Sequence, residues 1–198
     1  MTFILCLTGS IGMGKSTTAG IFRELGIPVW DADSTVHALY EPGGAAVEPV
    51  AALCPRASEG GKINRAVLKE WLTDDPKRFS QLEAVVHPLV AESRAAFVKK
   101  YKSIASPLIV LDIPLLFETR GEGMCDATLV VTTSPDEQRA RVMRRPGMTS
   151  QQFERLLAKQ MPDHEKRKRA EHIIETRSLP QTRAEIKALV QRLTERRG

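Results

Sequence analysis

The sequence lacks the long apolar runs and the cysteine framework that would assign it to a membrane or secreted class. No stretch approaches the roughly 20 apolar residues needed to span a bilayer, and no charged segment precedes the apolar run 3–7 as in a signal peptide. The three cysteines, Cys6, Cys54 and Cys125, are an odd number at scattered spacing, which excludes a complete disulfide framework and fits no metal-ligand pattern. We therefore expect buried thiols in a cytoplasmic protein.

Aromatic residues are scarce, and they are absent from the densest basic segment. Phe, Trp and Tyr make up 5% of the chain, and none interrupts the basic run 166–169, so this run lacks the rings on which nucleic-acid bases stack. The net charge of +5 is modest, and a phosphorylated small substrate explains it as well as a nucleic acid does. The sequence also has no Asn-Lys-x-Asp segment of the kind that reads guanine in nucleotide-dependent switches. We expect neither a nucleic-acid nor a membrane partner.

Residues 9–17 match the phosphate-binding pattern G-x-x-x-x-G-K-[ST] at every fixed position. An apolar run precedes the segment and a helical pattern follows it, as the motif requires. Glycine lets the backbone N–H groups turn towards phosphate oxygens, and the helix N-terminus adds its positive end. Lys15 is expected to reach the β- and γ-phosphates, and Ser16 to give its hydroxyl to Mg²⁺. The residues predicted to bind ATP are Gly12, Met13, Gly14, Lys15, Ser16 and Thr17.

Acidic residues follow two of the predicted strands. The short apolar segment 27–30 leads to Asp31 and Asp33, and the nearly unbroken apolar run 107–111 leads to Asp112. Ligands bind at the carboxyl edge of an open parallel sheet, so we expect these carboxylates near the phosphate loop. Asp112 is the candidate for Mg²⁺, directly or through water. Asp33 is the candidate for a reacting hydroxyl, with helix capping as its alternative role, and both roles stay open for Asp31.

A long, mostly helical block separates the second and third predicted strands. It comprises a helix, a connector with a short helix at 45–53, and two further helices, predicted at residues 34–40, 41–63, 64–72 and 77–103. Pro88 follows His87 inside the last helix and predicts a kink there. On residue type alone, His87 is a core or capping group. Because the block is too long for a plain crossover, we interpret it as an inserted substrate-binding unit.

Arginines mark the segment that follows the fourth predicted strand, at 126–132. Arg141 and Arg145 are four residues apart, which predicts a shared helical face, and arginine is suited to stabilising the charge of a transferring phosphoryl group. The sequence Pro-Gly-Met at 146–148 separates this helix from a second one, for which Thr149 is the predicted cap. We interpret the helical pair as a lid. A fifth strand at 172–176 and a final helix close the predicted fold.

These residues together resemble the dephospho-coenzyme A kinase family over almost the whole chain. Beyond the phosphate loop, the resemblance depends on Asp31-Ala32-Asp33 with His37, on His87-Pro88, on the run 112–118 and on the pattern Gln138-x-x-Arg141-x-x-x-Arg145. It implies ATP-dependent phosphorylation of the ribose 3′-hydroxyl of dephospho-CoA with Mg²⁺ as cofactor, giving CoA and ADP. The sequence departs from the usual family pattern at Glu171, where Asp is usual, and at Thr176, where Asn is common.

The resemblance also implies site residues. The implied catalytic residues are Asp33, Lys15, Arg141 and Arg145. The implied substrate contacts are Asp33, His37, His87, Leu115, Leu116 and Glu118, and the implied Mg²⁺ ligands are Ser16 and Asp112.

The predicted architecture is an α/β, three-layer P-loop NTPase fold with a five-stranded parallel sheet, a helical substrate-binding insertion and a helical lid. The 198 residues suit one domain with insertions. We assign the core to residues 1–32, 104–134 and 165–198, the insertion to 33–103 and the lid to 135–164. A nucleoside or nucleoside-monophosphate kinase shares the loop and the lid and is the alternative function. A non-catalytic nucleotide-dependent switch is the alternative from another class.

Overall fold

The computed structural model describes residues 1–195. These residues form two compact units. The first, here called the core unit, contains residues 1–30 and 101–195, and the second, the helical unit, contains Asp31–Lys100. Residues 1–195 form seven strands, β1 (Phe3–Thr8), β2 (Val29–Asp31), β3 (Ser58–Glu59), β4 (Lys62–Ile63), β5 (Leu108–Asp112), β6 (Ala127–Thr132) and β7 (His172–Glu175). The division of labour between core, insertion and lid stays a prediction.

The same residues form nine α-helices. They are α1 (Lys15–Glu24), α2 (Ala32–Tyr40), α3 (Val47–Leu53), α4 (Arg65–Asp74), α5 (Lys77–Ser103), α6 (Pro135–Met143), α7 (Ser150–Ala158), α8 (Asp163–Arg169) and α9 (Leu179–Glu195). Short 3₁₀ turns occur at Pro55–Ala57 and Gly121–Met124. Among the described helices, none combines the length and the apolar character that crossing a bilayer requires.

The core unit is built on a parallel sheet in the strand order β2-β5-β1-β6-β7, with helices on both sides. This confirms the predicted P-loop fold class and five-stranded sheet. Every residue of β5 and β6 is buried, because helices cover both faces of a parallel sheet and its strands are apolar throughout. Leu7 of β1 pairs with Asp112 of β5, and Thr8 pairs with Val130 of β6. The carboxyl ends of these strands therefore meet at one edge.

Helices α1 and α9 bury apolar side chains in the core of this unit. Phe22 of α1 is fully buried, as is Ile186 of α9, and Leu189 follows it one turn later. Leu193 continues the same stripe at helical spacing. The final helix predicted from the sequence is thus confirmed as an amphipathic element that packs on the sheet.

The helical unit has an apolar core of its own, which includes Tyr40, Val50, Leu68 and Val86. Helix α4 begins where the sequence predicts, because the side chain of Asn64 accepts hydrogen bonds from the N–H groups of Ala66 and Val67. Helix α5 is assigned as one continuous helix of 27 residues with Pro88 inside it.

A small β-hairpin in the helical unit went unpredicted. Strands β3 and β4 pair antiparallel, with Ser58 opposite Ile63. The turn between them is Gly60-Gly61, and both glycines have positive φ, at 57° and 76°, as a type I′ turn requires. Two adjacent glycines are a hairpin signal, but the segment 41–63 is rich in Pro, Gly and Ala and was interpreted as a connector. Its strands have only two residues each, too few to show an alternating pattern.

The expectation of three buried thiols is wrong for two of the cysteines. Cys6 and Cys125 form a disulfide with their Cα atoms 5.8 Å apart, whereas Cys54 is a buried free thiol as expected. The pairing of β1 with β6 brings these positions together, since Asp126, the residue after Cys125, donates its N–H to the Ile4 carbonyl. The two cysteines are 119 residues apart in the chain, so their spacing carries no sign of the bond.

Candidate functional site

The phosphate loop runs from the end of β1 at Thr8 to the start of α1 at Lys15. Gly12 and Gly14 have φ values of 78° and 92°, in the left-handed region that glycine enters without steric cost. Gly14 is the N-cap of α1, and no side chain of residues 1–195 caps this helix end. The first N–H groups of α1 therefore remain available to an anion, and the helix dipole favours negative charge there.

Both glycines also lie against neighbouring elements. A Cβ atom on Gly12 would lie 2.6 Å from Val142 Cγ2 of α6, and one on Gly14 would lie 3.0 Å from the side chain of Thr176. Only glycine fits at these two positions, for steric reasons in addition to the backbone angle. Helix α6 and the residue that follows β7 thus pack directly on the loop and hold its shape.

Lys15 and Asp112 form an ion pair at the carboxyl edge of the sheet. The distance from Lys15 Nζ to Asp112 Oδ1 is 2.8 Å, and the side chain of Asp112 is only 1% exposed. Asp112 is the last residue of β5, which pairs with β1, the strand that leads into the phosphate loop. Ser16 and Thr17 are exposed in the first turn of α1. The structure therefore brings together the lysine and the acid that the sequence assigned to phosphate and Mg²⁺.

Arg141 is held beside the phosphate loop by several hydrogen bonds. Its Nε atom donates to Glu137 Oε1 at 2.8 Å, and its two terminal nitrogens donate to the hydroxyl and the carbonyl of Thr176, at 2.8 and 2.5 Å. The Thr176 hydroxyl lies 2.9 Å from the carbonyl oxygen of Met13. Arg141 therefore links α6, the end of β7 and the phosphate loop. Thr176, a departure from the family pattern, is the centre of this network.

The predicted helical face shared by Arg141 and Arg145 is wrong, because α6 ends at Met143. Pro146 disfavours the helical conformation of the residue before it, so the helix stops short of Arg145. Arg145 is exposed, and no described side chain pairs with its guanidinium group. The two arginines therefore differ, since the first is fixed in a network and the second is presented to solvent.

The helix caps predicted for the two lid helices are present in the structure. The Ser134 hydroxyl accepts the N–H of Glu137, and Pro135 occupies the first helical position. Glu137 does not return the bond, because its carboxylate binds Arg141 instead. At the second helix, Thr149 and Gln152 form a complete capping box.

Glu118 anchors the C-terminal end of the predicted lid. Its Oε1 atom accepts the N–H of Met161 at 2.8 Å and lies 2.9 Å from Nζ of Lys166, a lysine with no exposed surface. Burial of the carboxyl group opposes its ionisation, but the nearby ammonium group of Lys166 and the hydrogen bond from Met161 outweigh that effect, so the pKa of Glu118 lies below its ordinary value. The ionised carboxylate is the form that the folded protein favours.

The segment after β5 divides into one exposed and several buried side chains. Leu115 is 42% exposed, whereas Leu116 is fully buried and Phe117 is 2% exposed. Three residues of this segment, Leu115, Leu116 and Glu118, are predicted to bind substrate. Among them only Leu115 has an exposed side chain, because Leu116 is buried and Glu118 is bound to Met161 and Lys166. Leu116 and Phe117 therefore pack into the protein.

Asp31, the last residue of β2, and Asp33 in the first turn of α2 have different roles. Asp31 caps α2, because its Oδ1 atom accepts the N–H of Ser34 at 2.8 Å. The capping role considered for Asp33 is wrong, since α2 begins at Ala32 and Asp33 lies in its first turn. The side chain of Asp33 is exposed and makes no hydrogen bond within residues 1–195. It remains open to a ligand.

The two histidines assigned to substrate are both exposed. His37 lies one turn after Asp33, and its Nε2 atom is 3.5 Å from Glu41 Oε1. His87 lies in the middle of α5 and is neither buried nor at a helix end. The expectation from residue type that His87 is a core or capping group is therefore wrong, and its role towards substrate stays a prediction.

Sequence reasoning missed two residues that hold this site together. Lys166 belongs to a run of basic residues, and nothing in that run distinguishes the buried lysine from its solvated neighbours. Gln160 follows α7, and its side-chain oxygen accepts the N–H of Ile11 in the phosphate loop. Glu171, a further departure from the family pattern, bonds the backbone and hydroxyl of Thr128 at the opposite end of the sheet from the loop.

The sequence matches proteins that carry one consistent name. A sequence model of the dephospho-CoA kinase family matches residues 3–181. A protein named dephospho-CoA kinase from Jannaschia sp. (strain CCS1) is 58% identical over 195 residues, which are 98% of this chain and 99% of that protein. Another with the same name, from Cereibacter sphaeroides, is 55% identical and covers 98% of this chain and 96% of its own length.

Solved structures share the same architecture. The crystal structure of TT1252 from Thermus thermophilus is 36% identical to this chain, covers 98% of both chains and superposes with a TM-score of 0.83. A dephospho-CoA kinase from Campylobacter jejuni is 23% identical, also covers 98% of both chains and superposes with a TM-score of 0.68. The second likeness supports the fold.

Proposed function

The chain belongs to the dephospho-CoA kinase family, and from that premise we propose how its residues divide the reaction. The enzyme transfers the γ-phosphoryl group of ATP to the ribose 3′-hydroxyl of dephospho-CoA, which gives CoA and ADP in the last step of CoA biosynthesis. The bond between the γ-phosphorus and the ADP oxygen breaks, a bond to the ribose oxygen forms, and the hydroxyl proton leaves. Phosphoryl transfer has a loose transition state, so positioning and charge stabilisation supply most of the catalysis.

We assign binding of the ATP phosphates to the phosphate loop and to Lys15. The supporting observation is the pairing of Lys15 Nζ with the buried Asp112 beside an uncapped helix N-terminus. The backbone N–H groups of Gly12 and of residues 14–17 are assigned to phosphate oxygens, whereas the N–H of Met13 is held by the Ser10 carbonyl. The ammonium group of Lys15 offsets the charge of the β- and γ-phosphates.

Mg²⁺ is assigned to Ser16 and Asp112. The donor set fits a hard cation, since the exposed hydroxyl of Ser16 and the carboxylate of Asp112 would provide oxygen ligands of the kind that Mg²⁺ prefers. The described part of the chain has no cluster of three or more His, Cys, Asp and Glu, and a magnesium site of this kind needs none. When bound, Mg²⁺ neutralises charge that develops on the phosphate oxygens.

We assign binding of the phosphoryl acceptor, dephospho-CoA, to Asp33 and other exposed side chains. We infer that the exposed carboxylate of Asp33 accepts the hydrogen bond of the ribose 3′-hydroxyl and takes its proton as the new bond forms. His37 lies one turn away on the same helix, and His87 and Leu115 offer further exposed side chains to dephospho-CoA. Leu116 and Glu118 are assigned to support this segment from inside the protein.

We assign different roles to the two lid arginines. Arg145 has the exposed guanidinium group that can close over the transferring phosphoryl group. Arg141 contributes positive charge from a fixed place beside the phosphate loop and holds Thr176 against Met13. We also infer that the protein works in the cytoplasm on small-molecule substrates, without a nucleic-acid or membrane partner.

One experiment tests this function against its alternatives. ATP and Mg²⁺ are offered with dephospho-CoA, AMP, CMP or uridine in parallel, and the release of ADP is followed. We expect rapid turnover with dephospho-CoA and a product that carries phosphate on the ribose 3′-oxygen. CoA serves as the matched control, because its 3′-hydroxyl is already blocked. Turnover confined to AMP, CMP or uridine would favour the nucleoside or nucleoside-monophosphate kinase, and ADP release that no acceptor stimulates would favour the switch.

A further inference from the structure

Two glutamine side chains from distant parts of the chain hold Ile11 of the phosphate loop. The N–H of Ile11 donates to Gln160 Oε1 at 2.9 Å, and its carbonyl accepts from Gln138 Nε2 at 2.7 Å. Gln138 lies in α6 and is 5% exposed, and Gln160 follows the end of α7. The two ends of the predicted lid, 135–164, therefore meet at one residue of the phosphate loop.

Both hydrogen bonds are made to a β-turn, and the conformation of that turn sets the direction of the N–H groups in the phosphate loop. The carbonyl of Ser10 accepts the N–H of Met13, and Gly12 has a φ of 78°, the arrangement of a type II turn with Ile11 and Gly12 at its centre. Type I and type II turns differ in the orientation of the peptide between the two central residues. Because Gln138 binds the carbonyl of that peptide, it holds the turn in one of its two forms. Gln160 binds the preceding N–H and so fixes the peptide that enters the turn.

A second set of contacts fixes the end of the lid from which Gln160 reaches the loop. The next residue, Met161, donates its N–H to Glu118, whose carboxylate also contacts the buried Lys166. The backbone at 160–161 is thereby tied to the segment that follows β5. Gln160 thus reaches Ile11 from a backbone that is itself held in place.

We propose that Gln160 is a positioning residue for phosphoryl transfer. By binding the N–H of Ile11, it fixes the peptide that enters the turn and thereby places the loop N–H groups that are assigned to the ATP phosphates, and it links the loop to the lid. The inference deepens the proposed function and rests on it. Gln160 contacts neither substrate in this role and acts through Ile11. Since a misplacement of about 1 Å lowers rates by roughly 100-fold, loss of this bond affects the handling of ATP.

The test replaces Gln160 with Met, which has a similar shape and no strong acceptor. In Gln160→Met, we expect the amide of Ile11 to exchange with solvent deuterium roughly tenfold faster than in the wild type, since it loses its acceptor. We also expect kcat/KM for ATP to fall roughly tenfold while KM for dephospho-CoA stays unchanged. Amide exchange resolved by residue, together with steady-state kinetics, measures both effects.

Two further variants complete the test. Gln151→Met makes the same substitution at an exposed position of α7 and is expected to match the wild type in both measurements. Gln160→Glu keeps an acceptor oxygen, so the protection of the Ile11 amide should return even where the added negative charge lowers activity. Unchanged Ile11 exchange in Gln160→Met, or equally fast exchange in Gln160→Glu, would overturn the proposal. A wild-type enzyme without activity on dephospho-CoA would instead contradict the proposed function, and the exchange result would still stand.

Discussion

Lys15 Nζ lies 2.8 Å from Asp112 Oδ1, and the carboxylate of this pair is almost completely buried. Removing two charges from water costs free energy, and their mutual attraction offsets that cost only when both are present and well placed. The pair fixes the ammonium group of Lys15 at the carboxyl edge of the sheet, beside the loop that binds the donor phosphates in the proposed function. The same acid is the proposed ligand of Mg²⁺.

Replacing Asp112 with Asn should remove both roles while keeping the shape of the side chain. We expect kcat/KM for ATP to fall by roughly 100-fold, as for the loss of one preorganised electrostatic group. The Mg²⁺ concentration needed for half-maximal rate should rise, which a magnesium titration at saturating ATP measures. The control is Asp136→Asn, which removes an exposed carboxylate in the first turn of α6. Wild-type kinetics and magnesium dependence in Asp112→Asn would remove Asp112 from the donor site.

Substitutions of the two lid arginines should change different kinetic parameters. A lysine at position 141 cannot reach Glu137 and both oxygens of Thr176 at once, so Arg141→Lys should raise KM for ATP roughly tenfold. Arg145→Gln should instead lower kcat by roughly 100-fold with ATP affinity retained, because its charge is needed only in the transition state.

The neighbouring residue supplies the control for this comparison. Arg144 is exposed, as Arg145 is, and Arg144→Gln should keep wild-type kcat and KM. If Arg145→Gln behaved like Arg144→Gln, Arg145 would have no part in phosphoryl transfer. If Arg141→Lys left KM for ATP unchanged, the network through Thr176 would not shape the nucleotide site.

Much of the fold was predictable because its signals are local. Apolar runs gave the buried strands, and capping residues such as Asn64 and Thr149 gave the starts of helices. Two of the errors are local too. Pro146 should have ended α6 before Arg145, and Gly60-Gly61 was a turn signal for a hairpin whose strands are too short to show alternation.

The site was predictable only where its residues are close in sequence or follow a strand. The phosphate loop lies in one short segment, and parallel pairing of β1 with β5 brings Asp112 to it. The contact between Ile11 and Gln160 joins residues 149 apart in the chain, and the buried Lys166 finds its carboxylate in a different segment. Tertiary packing creates these contacts, and a single sequence holds no local pattern for them.

The lowered pKa of Glu118 predicts a loss of stability in acid. A carboxyl group whose pKa is lower in the folded state contributes stability above its unfolded pKa and loses that contribution as the pH falls through the folded value. Glu118→Gln should therefore lower the free energy of unfolding at pH 7 by about 3 kcal/mol, because it leaves Lys166 buried without its carboxylate. The difference from the wild type should shrink as the pH falls below about 4.

Urea denaturation at several pH values between 7 and 3 measures this difference. Glu83→Gln is the matched control, since Glu83 is exposed on α5 and its replacement should change the free energy of unfolding at pH 7 only slightly. A Glu118→Gln variant as stable as the wild type at pH 7, or a difference that does not change with pH, would contradict the assigned ion pair.

The disulfide predicts a specific thiol count. Under denaturing conditions without reductant, a thiol reagent should label one cysteine per chain, Cys54, and after reduction it should also label Cys6 and Cys125. Reduction should also lower the free energy of unfolding by about 3 to 5 kcal/mol, because the bond closes a long loop. The Cys125→Ser variant should have the stability of the reduced protein. Labelling of all three cysteines before reduction would contradict the bond.

Asp33 is the proposed acceptor of the hydroxyl proton, and its replacement by Asn tests that role directly. The amide keeps the size of the carboxylate but cannot take a proton, so kcat should fall by roughly 100-fold or more while KM for ATP stays near the wild-type value. Asp31→Asn is a useful comparison, because an amide oxygen can still cap α2 and the variant should keep most of the activity. Wild-type kcat and kcat/KM for dephospho-CoA in Asp33→Asn would exclude the carboxylate as the base and leave positioning and charge to account for the rate.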